Sequence, residues 1–400
     1  MKTLKSSRLH IGIFGKTNVG KSSLLNAITN QDTAIVSDIA GTTTDVVEKS
    51  MELFPVGPVT FLDTAGIDDV SSLGNERIQK TLKVINRTDI AVVVIDFNGI
   101  NHFEIDLFKK FSELNIPILV VVNKTDIMDL PETKLDEILT YTPNIISIST
   151  KTTQNITELF VEKLVKILPD EFVNTPSILG DIVSPRDIVV LVTPIDKEAP
   201  KGRLILPQVQ TIRDLLDNKC ISVITDVENL ELTLSSLNTP PRLIVTDSQA
   251  FKQVNEIIPP SALLTSFSIL FAKLKGDLDA FIDGTSVIDK LKPDDKILIL
   301  ESCTHHQIED DIAKVKIPKL LEKKLGFSPI FEFYSGHDFP DISSYKLVIH
   351  CGACMTNRRE ILSRIMTAKK LNVPMTNFGV IISYCLGILP KATEVFKFVK

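Results

Sequence analysis

The chain reads as an α/β protein: one larger domain followed by two smaller α/β domains, all with largely parallel sheets. Three observations predict it. Apolar, β-rich runs alternate with helical patterns along the whole chain, as βα layering requires. A length of 400 residues exceeds what one core ordinarily serves. Proline-bearing breaks at Pro169–Pro185 and Pro259-Pro260 interrupt the alternation. They suggest domains at 1–172, 173–262 and 263–400.

In the first domain, strands are expected at Leu9–Phe14, Val46–Phe54, Val59–Leu62, Ile90–Ile95, Ile118–Val122 and Ile145–Ile148. Helical stretches lie between most of them, and the last covers about Ile156–Leu168. The span Pro169–Pro185 reads as a linker. The middle segment follows with strands Ile188–Val192, Ile221–Ile224 and Leu243–Val245, and helices Gln208–Asp217 and Val227–Leu234. The third has strands Lys296–Leu300, Ile330–Tyr334 and Lys346–Ile349, with helices near Ile308–Lys324 and Asn357–Leu371. Neither an internal repeat nor a low-complexity tract is visible.

Composition is that of a globular protein, 44% hydrophobic and 24% charged. The most apolar run, Ser261–Leu274, is too short to span a bilayer and reads as a buried helix. Met1–His10 lacks the apolar core of a secretory signal, so a cytoplasmic protein with no membrane association is expected. A net charge of −6 argues against a nucleic-acid partner. Five cysteines, an odd number in a large chain, do not suggest a disulfide framework. Cys220 and Cys385 lie in apolar surroundings and read as buried, inert thiols.

The strongest local signal is Gly15-Lys16-Thr17-Asn18-Val19-Gly20-Lys21-Ser22, a P-loop directly after an apolar strand and before a helical run. Its glycines let backbone N–H groups from Gly15 through Val19 to Ser23 wrap a β-phosphate at the positive end of the helix. Lys21 supplies charge to the β- and γ-phosphates, and the Ser22 hydroxyl suits Mg²⁺. Asp63-Thr64-Ala65-Gly66 closes the Val59–Leu62 strand. There the Asp63 carboxylate can reach Mg²⁺ through water, and the Gly66 N–H can meet the γ-phosphate. Asn123-Lys124-Thr125-Asp126 follows another strand. Asp126 can accept both guanine N1–H and N2–H, a pattern adenine cannot offer. Ser149-Thr150-Lys151 fits a small loop over the base. Together these motifs make the first domain a P-loop GTPase domain that binds GTP and GDP.

Ser37–Asp45, with Gly41-Thr42-Thr43-Thr44, resembles the first switch of the Era/MnmE class of GTPases. That resemblance makes Thr43 the Mg²⁺ ligand of the GTP state, with Thr42 the runner-up. Ile67 stands where Ras-like enzymes have a water-orienting glutamine, so unaided hydrolysis should be slow. The class uses a P-loop asparagine to help bind K⁺, and Asn18 occupies the matching place, which implies K⁺-stimulated turnover. Lys21, Asn18, Thr43 and Gly66 are therefore the expected catalytic set. Glu76 could orient water or simply face solvent.

The last quarter holds a second constellation. Cys303-Thr304-His305-His306 follows one strand, and His350-Cys351-Gly352-Ala353-Cys354 ends another. Open α/β sheets place ligand sites at such C-terminal strand ends. Three thiolates and an imidazole suit zinc, while three thiolates with an exchangeable fourth ligand suit an iron–sulfur cluster. Candidates for the fourth position are Glu301, His305, His306 and His350.

A GTPase of the Era/MnmE class joined to a distal CxH…HCxxC resembles the HydF family of FeFe-hydrogenase maturation GTPases, over the whole chain. The resemblance implies a 4Fe-4S cluster on Cys303, Cys351 and Cys354, with His305 and His350 completing the motif. It also implies a transient di-iron precursor delivered to apo FeFe-hydrogenase, two radical-SAM maturases as partners, and a middle domain that forms a homodimer. The rival reading is a ribosome-assembly or tRNA-modifying GTPase with a structural zinc. Such a protein should carry a GxxG clamp or a basic aromatic face, and the chain has neither, with no tryptophan and four tyrosines.

Overall fold

The computed structural model describes residues 8–29, 37–39, 47–63, 81–169, 172, 177–195, 202, 204–302, 312–336, 339–352 and 356–398. The chain forms two compact units, Met1–Thr175 and Pro176–Lys400.

Unit one is built on β1 (Leu9–Phe14), α1 (Lys21–Thr29), β2 (Ser37–Ile39), β3 (Val47–Leu53), β4 (Gly57–Asp63), β5 (Ile90–Ile95) and α2 (His102–Glu113). Then come β6 (Ile118–Val122), α3 (Glu132–Leu139), β7 (Ile145–Ser147) and α4 (Ile156–Lys166). The sheet runs β2-β3-β4-β1-β5-β6-β7, with β3 antiparallel to both neighbours and the rest parallel. Helices cover both faces, so β1, β5 and β6 are buried at every residue and read as unbroken apolar runs. Alternate side chains serve opposite cores. Val92 and Val94 join Leu24 and Phe160 on one side, while Ala91, Val93 and Ile95 join Phe108 and Phe111 on the other. The parallel strands β1, β4, β6 and β7 thus deliver the nucleotide motifs to one edge.

Unit two repeats one design. Its first half is β8 (Ile188–Val192), α5 (Leu206–Asp217), β9 (Ile221–Thr225), α6 (Leu230–Ser235), β10 (Leu243–Thr246), α7 (Phe251–Ile257), β11 (Leu264–Ser266), α8 (Phe267–Lys275) and α9 (Leu278–Asp283). After a 3-10 turn at Gly284–Lys290 comes the second half. It comprises β12 (Lys296–Glu301), a π-helical turn (Ile312–Lys316), α10 (Ile317–Leu325), β13 (Ile330–Ser335), β14 (Leu347–His350), α11 (Arg358–Lys370), β15 (Met375–Asn377), α12 (Phe378–Cys385) and α13 (Leu389–Thr393). The two parallel sheets run β11-β10-β8-β9 and β13-β12-β14-β15. In each, the first strand is flanked by the second and third, and the fourth lies beyond the third. Register is shared as well: Ile188↔Ile221 and Val189↔Leu243 in one match Lys296↔Ile330 and Ile297↔Leu347 in the other.

The expectation of no internal repeat is therefore corrected. The halves share pattern rather than identity, except where the fourth strand turns into its helix. Leu264-Thr265-Ser266-Phe267 matches Met375-Thr376-Asn377-Phe378, and Ser266 and Asn377 each cap the helix by accepting the N–H three residues on. Helices α8 and α12 pack together. A Cβ on Gly379 would lie 2.6 Å from that of Ser268, its counterpart. The tails cross: α9 packs on β15, while α13 and Glu394–Phe398 pack on β11. Thr265 donates its hydroxyl to Ala392 O at 2.7 Å. One core runs through both sheets, from Val190 and Ile244 to Leu298 and Val348.

Two further readings change. The run Ser261–Leu274 is not one helix, because Thr265 and Ser266 extend β11 before the cap starts α8. The described end of the Pro169–Pro185 span is packed rather than solvated. Ile178, Leu179, Ile182 and Val183 are buried, and the Asp214 carboxylate accepts the Ile178 and Leu179 N–H groups, each at 2.9 Å.

Candidate functional site

The P-loop geometry follows from its glycines. Gly15 and Gly20 hold φ of 135° and 101°, and a Cβ on either would lie 2.1 Å from Val94 O or Asn123 Nδ2. Asn18 sits at φ 66°, a left-handed conformation asparagine tolerates, with its side chain exposed at the loop tip. Lys21 opens α1 and is buried, its Nζ donating to Gly15 O at 2.7 Å and Lys16 O at 2.8 Å. Ser22 and Ser23 lie exposed on the first turn, where orphan N–H groups and the helix dipole favour a phosphate.

The guanine motifs are wired to this loop. Asn123, buried after β6, donates Nδ2–H to Val19 O at 2.9 Å and accepts the Thr150 N–H at 3.0 Å. Asp126 accepts the Ser149 hydroxyl at 2.7 Å, and Ser149 Oγ in turn accepts the Lys151 N–H at 3.2 Å. Base loop and phosphate loop are thus one hydrogen-bonded body. Lys124, at φ 66°, lies 3.5 Å from Asp96. Burial pushes the Asp96 carboxyl up, but the Asn98 and Lys124 hydrogen bonds outweigh it and hold it below the usual range. Asp63 ends β4 as expected. Thr42, Thr43, Gly66 and Glu76 lie outside the described residues. One neighbour had no sequence signal: Glu104 at the start of α2 is buried, and desolvation raises its carboxyl although Lys16 lies 3.7 Å away.

The cysteine constellation straddles the ends of β12 and β14. Among its expected ligands, Glu301, His350 and Cys351 are described, while Cys303, His305, His306 and Cys354 lie outside the described residues. Glu301 is the half-buried last residue of β12. Cys351 follows β14, with its N–H bonded to Leu300 O at 2.8 Å. Its Sγ accepts the N–H of Ser302, the residue before Cys303, at 3.2 Å. The two cysteine-bearing strand ends are therefore adjacent, and the sulfur already has the N–H partner that tunes thiolate ligands.

His350 is wholly buried, with both ring nitrogens engaged. Nε2 lies 2.6 Å from Arg364 Nη1, and Nδ1 lies 2.8 Å from Cys351 O. A guanidinium can only donate, so Nε2 accepts and Nδ1–H donates. Burial first, and the Arg364 charge second, push this imidazole down to about 3. Ligation by His350 would require the ring to turn out of both bonds. Arg364 also bonds Glu360 Oε1 at 2.5 Å. Neither residue was expected at the site. A faint signal existed: they are four apart, on the stripe that holds Ile361, Ile365 and Ala368. Of the remaining thiols, Cys220 is buried and Cys385 half-buried, and burial pushes the latter up to about 11.

Among the described residues no helix is long and apolar enough to cross a membrane. Residues 10–124 match the family described as 50S ribosome-binding GTPase, 178–276 the hydrogen maturase F dimerization domain, and 279–395 the hydrogen maturase F tetramerization domain. Curated relatives include a tRNA modification GTPase MnmE of Prochlorococcus marinus (strain NATL1A), 36% identical over 148 residues, covering 36% of this chain and 32% of that protein. Another is a GTPase Der of a Nitratiruptor species, 32% identical over 170 residues, covering 40% and 36%. The chain thus spans about a third of the length of these relatives. A variant of Aquifex aeolicus Era bound to GDP.AlF4- is similar at 19% identity and a TM-score of 0.32, covering 62% of this chain and 97% of that one.

Proposed function

The chain belongs to the hydrogen maturase F (HydF) family, a GTPase joined to that family's dimerization and tetramerization domains, and on this premise we propose that it is a GTP-hydrolysing iron–sulfur scaffold. In this reading Cys303, Cys351 and Cys354 hold a 4Fe-4S cluster, and the protein carries a di-iron precursor to apo FeFe-hydrogenase with two radical-SAM maturases upstream. The residues fit the group. Cys351 sits at a strand end with its sulfur hydrogen-bonded to Ser302, and the chain places Cys303 next. That contact carries the proposal. The cluster would supply an iron with an exchangeable fourth position, for which Glu301, His305, His306 and His350 are the candidates; His350 would have to leave both of its ring hydrogen bonds to take it.

The GTPase acts as a switch in a different unit from the cysteines. Lys21 and the P-loop N–H groups hold the phosphates, Ser22, Asp63 and Thr43 hold Mg²⁺, and Asp126 reads guanine. Asn18 helps to bind K⁺, so hydrolysis is faster in potassium than in sodium. The family's domains make the protein a homo-oligomer. Ile221 and Ile224 on edge strand β9 are about half exposed, at 51% and 48%, and offer apolar area for it.

Anaerobic iron–sulfide reconstitution, with metal analysis and EPR of the reduced protein, tests the scaffold reading on wild type beside Cys303→Ser. A brown protein with about four irons per chain and loss in the variant is expected. A colourless protein holding one tight zinc would overturn it and leave a GTPase with a structural metal.

A further inference from the structure

Arg364 is 3% exposed, yet it projects from α11 into the apolar core beneath the cysteine site. Its guanidinium reaches the ends of three strands. Nη1 lies 2.6 Å from Nε2 of His350, the last residue of β14, and 3.4 Å from Ser302 Oγ after β12, and Nη2 lies 3.4 Å from Gly336 O after β13. Glu360 balances the charge, and the Phe339 ring lies 5.6 Å from the guanidinium carbon. From Arg364 the path runs through the accepting Nε2 to the donating Nδ1, and so to the Cys351 carbonyl. Ser302 closes the circuit by donating its N–H to Cys351 Sγ.

The fold does not require this network. The first sheet of unit two has the same order and register, with Thr246 at the place of His350 and Asp247 at that of Cys351. There, among the described residues, the buried polar side chains at the strand ends are the uncharged Gln208, Thr246, Ser248 and Ser266. A buried ion pair seldom adds stability over apolar packing. Among the described residues, the buried arginine–glutamate pair at the strand ends occurs in the cysteine-bearing copy, whereas the other copy sets the half-buried Asp247 against Gln208; the pair therefore serves the cysteine site.

We propose that Arg364 is a positioning residue for the cluster site: by fixing the His350 tautomer it sets the Cys351 backbone and the Ser302 N–H···Sγ bond, and so presets the Cys351 sulfur. The inference deepens the scaffold reading and rests on it.

The test compares wild type, Arg364→Lys and the charge-balanced pair Arg364→Met with Glu360→Gln in the full chain. Thermal unfolding and GTP hydrolysis serve as controls, and iron retention against a chelator, EPR and midpoint potential are the readouts. ¹⁵N-histidine NMR of the apo protein reports the tautomer. Both variants should fold and hydrolyse GTP as wild type does. They should lose iron about 10- to 100-fold faster, show shifted g-values and a lower potential, and lose the fixed Nδ1–H tautomer. Folded variants with wild-type iron retention, EPR and potential would overturn the proposal. If neither variant folds, Arg364 serves the fold and the proposal also falls. A wild type that takes up no iron would sink the scaffold reading instead, and the tautomer signal alone would then judge Arg364.

Discussion

The two sheets of unit two share strand order, register and even the Thr-Ser/Asn-Phe turn into their last helix, yet they end in different chemistry. One closes β10 with Thr246-Asp247-Ser248, hydrogen-bonded to Val192 O, to Gln208 and to Ser266 and Ser268. The other closes β14 with His350-Cys351-Gly352 and buries an arginine and a glutamate beneath. The scaffold is indifferent to this choice, since both apolar halves feed one core. Function here is written in a few residues beyond the strand ends, and in the charged side chains brought inside to hold them.

The largest expected effect breaks the interlock that makes the halves comparable. A Cβ on Gly284 would lie 2.1 Å from Met375 O, so Gly284→Val should cost about 4 kcal/mol. Urea unfolding followed by probes in each half should show both sheets failing together, and survival of the first sheet alone would refute a shared core. Next, Leu243→Ala and Leu347→Ala truncate register-equivalent, fully buried positions. Each should cost about 2–5 kcal/mol and shift one common transition; two separate transitions would show independent halves. Asp277 caps α9 through the Ala280 N–H and pairs with Lys369 on α11 at 3.0 Å. Those bonds outweigh burial and hold its carboxyl below 3.8. Its contribution is thus present above that value and lost as pH falls through the lower folded one. Asp277→Ala should cost about 1 kcal/mol at pH 7, and the gap to wild type should close below pH 3.8. Smallest in stability is Cys351→Asp, which copies Asp247. Unfolding should move by about 0.5 kcal/mol or less while bound iron is lost, and retained iron would detach Cys351 from the site.

Much of the fold was legible because long parallel strands declare themselves. Leu9–Phe14, Ile90–Ile95, Ile118–Val122 and Ile188–Val192 have the same bounds in sequence and structure. Strands β2, β11 and β15, three residues each, are too short to show a period of two. Without β11 and β15 the matching strand orders could not be seen, so the repeat stayed hidden. At the nucleotide site the motifs are local, and Lys21, Asn123 and Asp126 could be named from spacing alone. The wiring between them is not local: Asn123 meets Val19 across the fold. Arg364 and Glu360 escaped notice because charges on a helix ordinarily face water, and only the surrounding stripe of apolar neighbours betrays them.

The crossing tails also order events in time. A ribosome releases the chain from its N-terminus, so all of unit one can fold while unit two is still being made. Burial of β11 is completed later, because it is covered by Glu394–Phe398 and α13. Until those residues emerge, the apolar side of β11 and α8 stays open, and a stalled or truncated product would expose it.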